Sequence, residues 1–201
     1  FFPTLTLLNQ NSTLKIKNVG LNPSRIGFFK ILKQHKAKLR FINLKKKNNE
    51  VSGDIIVQSC RIKPFKTPSS MYPSTTDEYL LLFLIASLQK GISVFKGISD
   101  LANKESSRAF EMKKILNQIG VKCILKKDEM KIFGNGMIDG TNKKIIIGNL
   151  GDHRIAMCGF ILSLLTGSKA SIKNFETVFT SSPSFLKIMK KDFGAKFEIK
   201  K

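Results

Sequence analysis

Apolar residues along this chain recur at two spacings, one near 3.6 and one of 2, and stretches of the two kinds alternate. In residues 109–125 (AFEMKKILNQIGVKCIL), Phe110, Ile115, Leu116 and Ile119 mark one face of a helix. Val121, Cys123 and Leu125 then alternate with other side chains as a half-buried strand does. Residues 27–42 (GFFKILKQHKAKLRFI) and 184–199 (SFLKIMKKDFGAKFEI) can be laid over the same pattern. Gly120 and Gly194 stand where a helix C-terminus wants a left-handed residue, and Lys36 takes that place in the first copy.

A second element also occurs three times. Residues 2–19, 79–98 and 155–175 each carry an apolar helix, a break of Gly, Ser or Asn, and a strand, at 14–17, 92–95 and 170–173. Further alternating runs at 54–57, 130–133 and 144–147 predict additional sheet strands. The pattern therefore predicts an α/β domain over residues 1–201, made of three helix–strand–helix–strand units with hairpin strands between them. A spacing this wide implies stacked units sharing one core rather than a solenoid of short repeats.

Composition narrows the picture. With 201 residues and 42% hydrophobic content, the chain can bury one sizeable core. No apolar run reaches the ~18 residues that a membrane span needs. The longest, residues 79–88, suits a buried helix. Residues 1–8 have no basic segment ahead of them, so they do not read as a signal peptide. The chain opens on Phe1 inside an apolar stretch, which reads as a fragment or a processed product. Cys60, Cys123 and Cys158 are odd in number, far apart and without metal-ligand spacing, the usage of a reduced, cytoplasmic protein.

The net charge of +21 raises the question of nucleic acid. Its distribution argues against it. Lysines are spread over the whole chain, and arginine occurs only at 25, 40, 61, 108 and 154. The one dense run, Lys45-Lys46-Lys47, precedes Asn48-Asn49 and reads as a solvated hairpin tip. A basic nucleic-acid-binding or decaying relict domain is the alternative from another class. An anionic small substrate would suit the same surface.

Four short stretches place charge at element starts. In Asn22-Pro23-Ser24-Arg25, Asn22 reads as an N-cap with Pro23 in the first turn. In Thr75-Thr76-Asp77-Glu78, Thr76 or Asp77 could be a plain N-cap, and acid at a helix start is favoured by the dipole. In Lys104-Glu105-Ser106-Ser107-Arg108, a helix beginning at Ser106 or Ser107 would bring all three charges to one mouth; a solvated cluster is the simpler reading. In Asp152-His153-Arg154, three polar residues precede a helix that is apolar through Leu165. An arginine there suggests an anion at the helix start, while His153 alone reads as a structural partner of Asp152. No catalytic Ser or Cys triad, phosphate loop or dinucleotide fingerprint is present.

Taken in order, Asn22-Pro23-x-Arg25, Asp77-Glu78, Lys104-Glu105-Ser106-x-Arg108 and Asp152-His153-Arg154-Ile155-Ala156-Met157 resemble the second half of the 3-phosphoshikimate 1-carboxyvinyltransferase (EPSP synthase) family. The related UDP-N-acetylglucosamine enolpyruvyl transferases share the fold but lack the last two motifs in this form. The resemblance implies an enolpyruvyl-transferase inside-out α/β barrel built from three βαβαββ-type units, with the N-terminal half of the enzyme missing here. It implies transfer of the enolpyruvyl group of phosphoenolpyruvate to the 5-hydroxyl of shikimate-3-phosphate, with release of phosphate, for aromatic amino acid biosynthesis. By resemblance, Asp77 binds the shikimate hydroxyls and accepts the proton, Glu105 is the proton donor with its pKa raised by burial, and Lys104 contacts shikimate-3-phosphate and the transferring group. Arg108 and Arg154 would clamp phosphoenolpyruvate. The implied enzyme is a monomer without metal, cofactor, nucleic acid or membrane. The chain departs from the family at Ala102, commonly Arg, and Ser107, commonly Asp. It also carries Thr180, where some members have lysine, and Ser181-Ser182-Pro183 in place of Ser-Phe-Pro.

Overall fold

The first two repeats fold as helix, strand, helix and then sheet strands, and the third ends on helices among the described residues. The computed structural model describes residues 1–199; residues 200 and 201, the end of the span assigned to one domain, lie outside the described residues. The first unit runs α1 (Phe2–Leu8), β1 (Thr13–Gly20), α2 (Gly27–Gln34), β2 (Leu39–Lys47) and β3 (Glu50–Gln58). The second runs β4 (Lys66–Thr67), α3 (Tyr79–Ser87), β5 (Lys90–Lys96), α4 (Arg108–Gln118), β6 (Lys122–Leu125) and β7 (Glu129–Asn135). The third runs β8 (Lys144–Ile147), α5 (His153–Thr166), β9 (Lys169–Ile172), α6 (Thr177–Ser181) and α7 (Phe185–Phe193).

Helices occupy the inside and sheets the outside. A helix without a polar face is stable only in an interior, and every residue of α3 is buried, as are Ile155 to Leu162 of α5. Full burial of each Leu, Ile or Phe there contributes roughly 1.5–3 kcal/mol. The sheets, ordered β1-β3-β2, β4-β5-β7-β6 and β8-β9, turn one face to these helices and leave the other exposed. In β3, Ile55 and Val57 are fully buried while Asp54 and Ile56 face outward. This is the inside-out arrangement that the resemblance implied.

The first sheet is bent where it approaches the site. β1 and β2 both shift register against β3, between Ile16 and Val19 and between Ile42 and Lys45. Asn18 and Asn43 sit at these bulges with left-handed backbone, which asparagine tolerates better than most residues. Asp54 ties the two together. It accepts from the Asn18 N–H at 3.0 Å and the Asn43 amide at 2.9 Å, and pairs with Lys15 at 3.0 Å. The pinned end of β1 leads directly into residues 22–25. The β2–β3 hairpin turns at Asn48 and Asn49, both left-handed, as the lysine run before them suggested.

Two expectations about the elements need correction. Residues 195–199 alternate as a strand would, but they pair with no sheet strand among the described residues. Ala195 instead donates to the Met189 carbonyl at 3.0 Å, and Phe197 packs on Phe160 at 5.8 Å between ring centres. Alternation licenses a strand only where a partner ladder exists, and among the described residues β8 and β9 pair with each other alone. Asn22 is not an N-cap either. α2 begins five residues later, at Gly27, and the Asn22 side chain accepts from the Ser24 N–H and hydroxyl in a local turn.

The three helix ends repeat the same geometry with different residues. Gly120 and Gly194 are left-handed at φ 86° and 65°, and Lys36 adopts φ 70° at the matching place in the first copy. A left-handed Lys is strained by roughly 1–2 kcal/mol, partly offset because glycine has more unfolded-state freedom to lose. Lys36→Gly should therefore stabilise the fold by about 0.5–1 kcal/mol. A rise in thermal midpoint of one or two degrees or more checks this, and a fall refutes it.

Candidate active site

The ends of three helices meet at one rim, and the charged motifs lie on them. Asp77 sits in a 3-10 turn, Thr76 to Glu78, at the head of α3. Glu105 and Ser106 precede α4, Arg108 opens it, and Asp152 and Arg154 lie at the start of α5. The sequence thus places charge at the helix starts, and the fold brings those starts together.

Arg108 is the centre. Its side chain is 2% exposed, yet it carries a fixed charge. Its Nε donates to Asp152 Oδ2 at 2.9 Å, one terminal nitrogen pairs with Glu105, and the other lies 3.9 Å from Asp77. Ser106 donates to the same Asp152 oxygen at 2.9 Å. The second Asp152 oxygen caps α5, accepting from the Arg154 and Ile155 N–H groups at 3.0 and 3.4 Å. Burial would push the Asp152 carboxyl up, but Arg108, Ser106 and the Ile155 N–H outweigh it and hold the group below the usual carboxylate value. A buried cation is tolerable only with such partners.

Around this buried pair the charges become progressively wetter. Arg154 reaches Asp77 Oδ2 at 3.2 Å and donates to the Asp77 carbonyl at 3.3 Å. Arg25 meets the same carboxylate oxygen at 3.5 Å from a side chain that is 71% exposed. Asp77 therefore faces three guanidiniums. Beside it, burial and the Asp77 charge push the Glu78 carboxyl up. Burial and the adjacent Arg154 hold the His153 imidazole below its ordinary value, which favours the neutral ring.

Asp77, Glu105, Arg108 and Arg154 thus form one connected cluster. Lys104 stands apart in its contacts, with its ammonium 2.6 Å from Asp100. Three details differ from expectation. Neither Thr76 nor Asp77 caps a helix: the Thr76 hydroxyl goes to the Tyr72 carbonyl, leaving the Asp77 carboxylate to the arginines. Glu105 is 50% exposed, so this chain does not supply the burial that an acid role calls for. Arg108 is enclosed by carboxylates, and a ligand reaches it only where Glu105 or Asp77 gives way.

Asp152, Ser106 and Arg25 stand out in the sequence only as members of their motifs, and the fold places all three at the site. The signal for Asp152 was present: an acid capping an apolar helix can also serve a buried arginine. Only the fold reveals that the arginine comes from α4. Ala102 and Ser107, two of the departures from the family pattern, fall in one place. Both line an open cleft of about 710 Å³ with Ile98, Asp100, Leu125 and Lys126.

The profile of EPSP synthase (3-phosphoshikimate 1-carboxyvinyltransferase) matches residues 1–189. The chain belongs to the EPSP synthase family. A 3-phosphoshikimate 1-carboxyvinyltransferase from Petrotoga mobilis is 37% identical over 191 residues, covering 95% of this chain and 44% of the relative. One from Zymomonas mobilis is 31% identical over 201 residues, again covering 44% of that relative. An EPSP synthase structure from Acinetobacter baumannii superposes with a TM-score of 0.86 at 30% identity, covering 94% of this chain and 44% of that one. The enolpyruvyl transferase NikO from Streptomyces tendae shares the fold, with a TM-score of 0.68 at 14% identity, over 97% of this chain and 42% of its own. This EPSP synthase family chain spans less than half the length of the curated relatives it matches. No helix among its described residues is long and apolar enough to cross a membrane.

Proposed function

We propose that this chain is one of the two domains of an EPSP synthase. The domain would contribute one wall of a cleft in which the enolpyruvyl group of phosphoenolpyruvate passes to the 5-hydroxyl of shikimate-3-phosphate with release of phosphate. The observation that carries the reading is the meeting of Asp77, Glu105, Arg108 and Arg154 from three helix starts, in a chain of this family. The basic nucleic-acid-binding alternative has no comparable arrangement behind it.

The chemistry needs a base for the attacking hydroxyl, an acid for the methylene carbon, and cations for carboxylate and phosphate. Asp77 is a carboxylate held among guanidiniums, placed to orient the acceptor's hydroxyls and take the proton. Glu105, ion-paired to Arg108 in this chain, would turn toward the methylene carbon once an anion takes its place on the guanidinium. Covering by the second domain would remove it from water, the surrounding that an acid role calls for. Arg154 and the freed face of Arg108 would hold phosphoenolpyruvate oxygens, and Lys104 would leave Asp100 to meet the second anion. Domain closure would assemble these groups and exclude water. A monomeric, cytoplasmic enzyme without metal or cofactor fits this scheme.

Half a cleft cannot close. The chain alone should release no phosphate from the two substrates, while a two-domain protein carrying it should do so. Phosphate release assayed on both is the test. Robust turnover by the 201-residue chain alone refutes the half-site reading, and a two-domain form that folds but never turns over refutes the transferase reading.

A further inference from the structure

Tyr72 stands outside every charged motif, yet it joins the segment that carries Asp77 to the loop that carries Lys104 and Glu105. Its hydroxyl donates to Asp100 Oδ2 at 2.9 Å. The same oxygen is 2.6 Å from the Lys104 ammonium, one helical turn further along the chain. Two donors thus converge on one exposed carboxylate oxygen, and together they hold the Asp100 carboxyl below its ordinary value, Lys104 contributing more than Tyr72.

The tyrosine is fixed at its other end. Its ring packs at 5.2 Å between centres on Tyr79, the first residue of α3, which is fully buried. Its carbonyl accepts the Thr76 hydroxyl at 3.1 Å, one residue before Asp77. Its N–H closes a turn on the Ser69 carbonyl at 3.0 Å. The ring therefore moves only with the head of α3, and its hydroxyl carries that position across to Asp100. Asp100 is exposed and flexible in principle, so an oriented donor from a rigid ring is what gives Lys104 a defined location. Among the described residues, a second side-chain link joins the two segments, the 3.9 Å approach of Arg108 to Asp77.

We propose that Tyr72 is a positioning residue: through Asp100 it sets where the Lys104 ammonium stands relative to Asp77. This rests on the transferase reading only for its functional meaning. On that reading, Tyr72 and Asp100 keep Lys104 at a fixed starting point from which an arriving anion draws it.

The link can be measured on the chain itself, without substrate. Reductive methylation with ¹³C-formaldehyde turns each lysine into a dimethylammonium that keeps its charge and one N–H donor. The Lys104 signal is identified by its loss in Lys104→Arg. In Tyr72→Phe, which keeps the ring and its stack on Tyr79, the transverse relaxation rate of that signal should fall about twofold as the side chain gains freedom. Asp100→Asn should have the same effect, and the double variant should add nothing further. Circular dichroism melts within a few degrees of wild type show that the variants are folded. An unchanged Lys104 signal in Tyr72→Phe, or effects of Tyr72→Phe and Asp100→Asn that sum independently, overturns the proposal. Such a failure leaves the transferase reading untouched, since that reading is judged by phosphate release.

Discussion

Asp152→Ala should be among the most damaging single substitutions in the chain, although it removes only a short side chain. Arg108 stays buried and charged after its most buried carboxylate partner is gone, and breaking one side of a buried pair costs about 3–5 kcal/mol. The same substitution strips the N-cap of α5, worth about 1 kcal/mol. At roughly 2–4 °C per kcal/mol for a domain of this size, the thermal midpoint should fall by about 10 °C or more. Asp152→Asn separates the two contributions, because asparagine caps well but carries no charge. It should recover about the capping portion and leave the larger loss. A fall of less than 1 kcal/mol in Asp152→Ala would show that Glu105 and Asp77 satisfy Arg108 without it. The acid limb of the stability curve gives a second check. The folded Asp152 carboxyl lies below its unfolded value, so its stabilisation is complete above about pH 4 and drains away as pH falls through the folded value. Asp152→Asn should flatten that part of the curve.

Asp152 also shows where the sequence was legible and where it was not. The periodicity of 109–125 carries α4 and β6 almost to the residue, because Ile115, Leu116 and Ile119 followed by alternation have few other solutions; Phe110, read onto the same face, is instead exposed, and Met112 takes its place in the core. The two uniformly apolar helices identify themselves as the interior for the same reason. Residues 195–199 show the opposite case. Their alternation is real, but strand formation depends on a neighbouring edge that local sequence does not encode. The site was legible as four charged stretches, three of them at helix starts, and the family resemblance said which belong together. What remained hidden was the wiring. Nothing near Arg108 announces that its buried partner lies 44 positions further on. Lys104 and Glu105 are neighbours in sequence, yet one turns to Asp100 and the other to Arg108. Tyr72 reads as an ordinary turn residue until its hydroxyl is seen to end on Asp100.

The largest kinetic effect should follow from Arg154→Ala in a two-domain enzyme carrying this chain. Arg154 is 24% exposed at the rim, accessible to a ligand yet aimed inward by its bonds to the Asp77 carboxylate and carbonyl. A hydrogen bond to a charged group is worth about 1.5–3 kcal/mol, so losing this one should raise the phosphoenolpyruvate KM by roughly 10- to 150-fold. Arg154→Lys keeps the charge but not the planar fork, and should recover only part of the loss. Arg25→Ala supplies the contrast. That side chain is 71% exposed and touches Asp77 only at 3.5 Å. Surface pairs of this kind contribute no more than about 1 kcal/mol, so its KM should move fivefold at most. Stability should barely register either change, because neither guanidinium is buried as Arg108 is. Initial-rate kinetics at varied phosphoenolpyruvate, set beside thermal melts, distinguish a ligand clamp from a structural brace. Wild-type kinetics in Arg154→Ala would remove the clamp. The three arginines around Asp77 would then serve only to balance its charge, and the anion would need another cation to receive it.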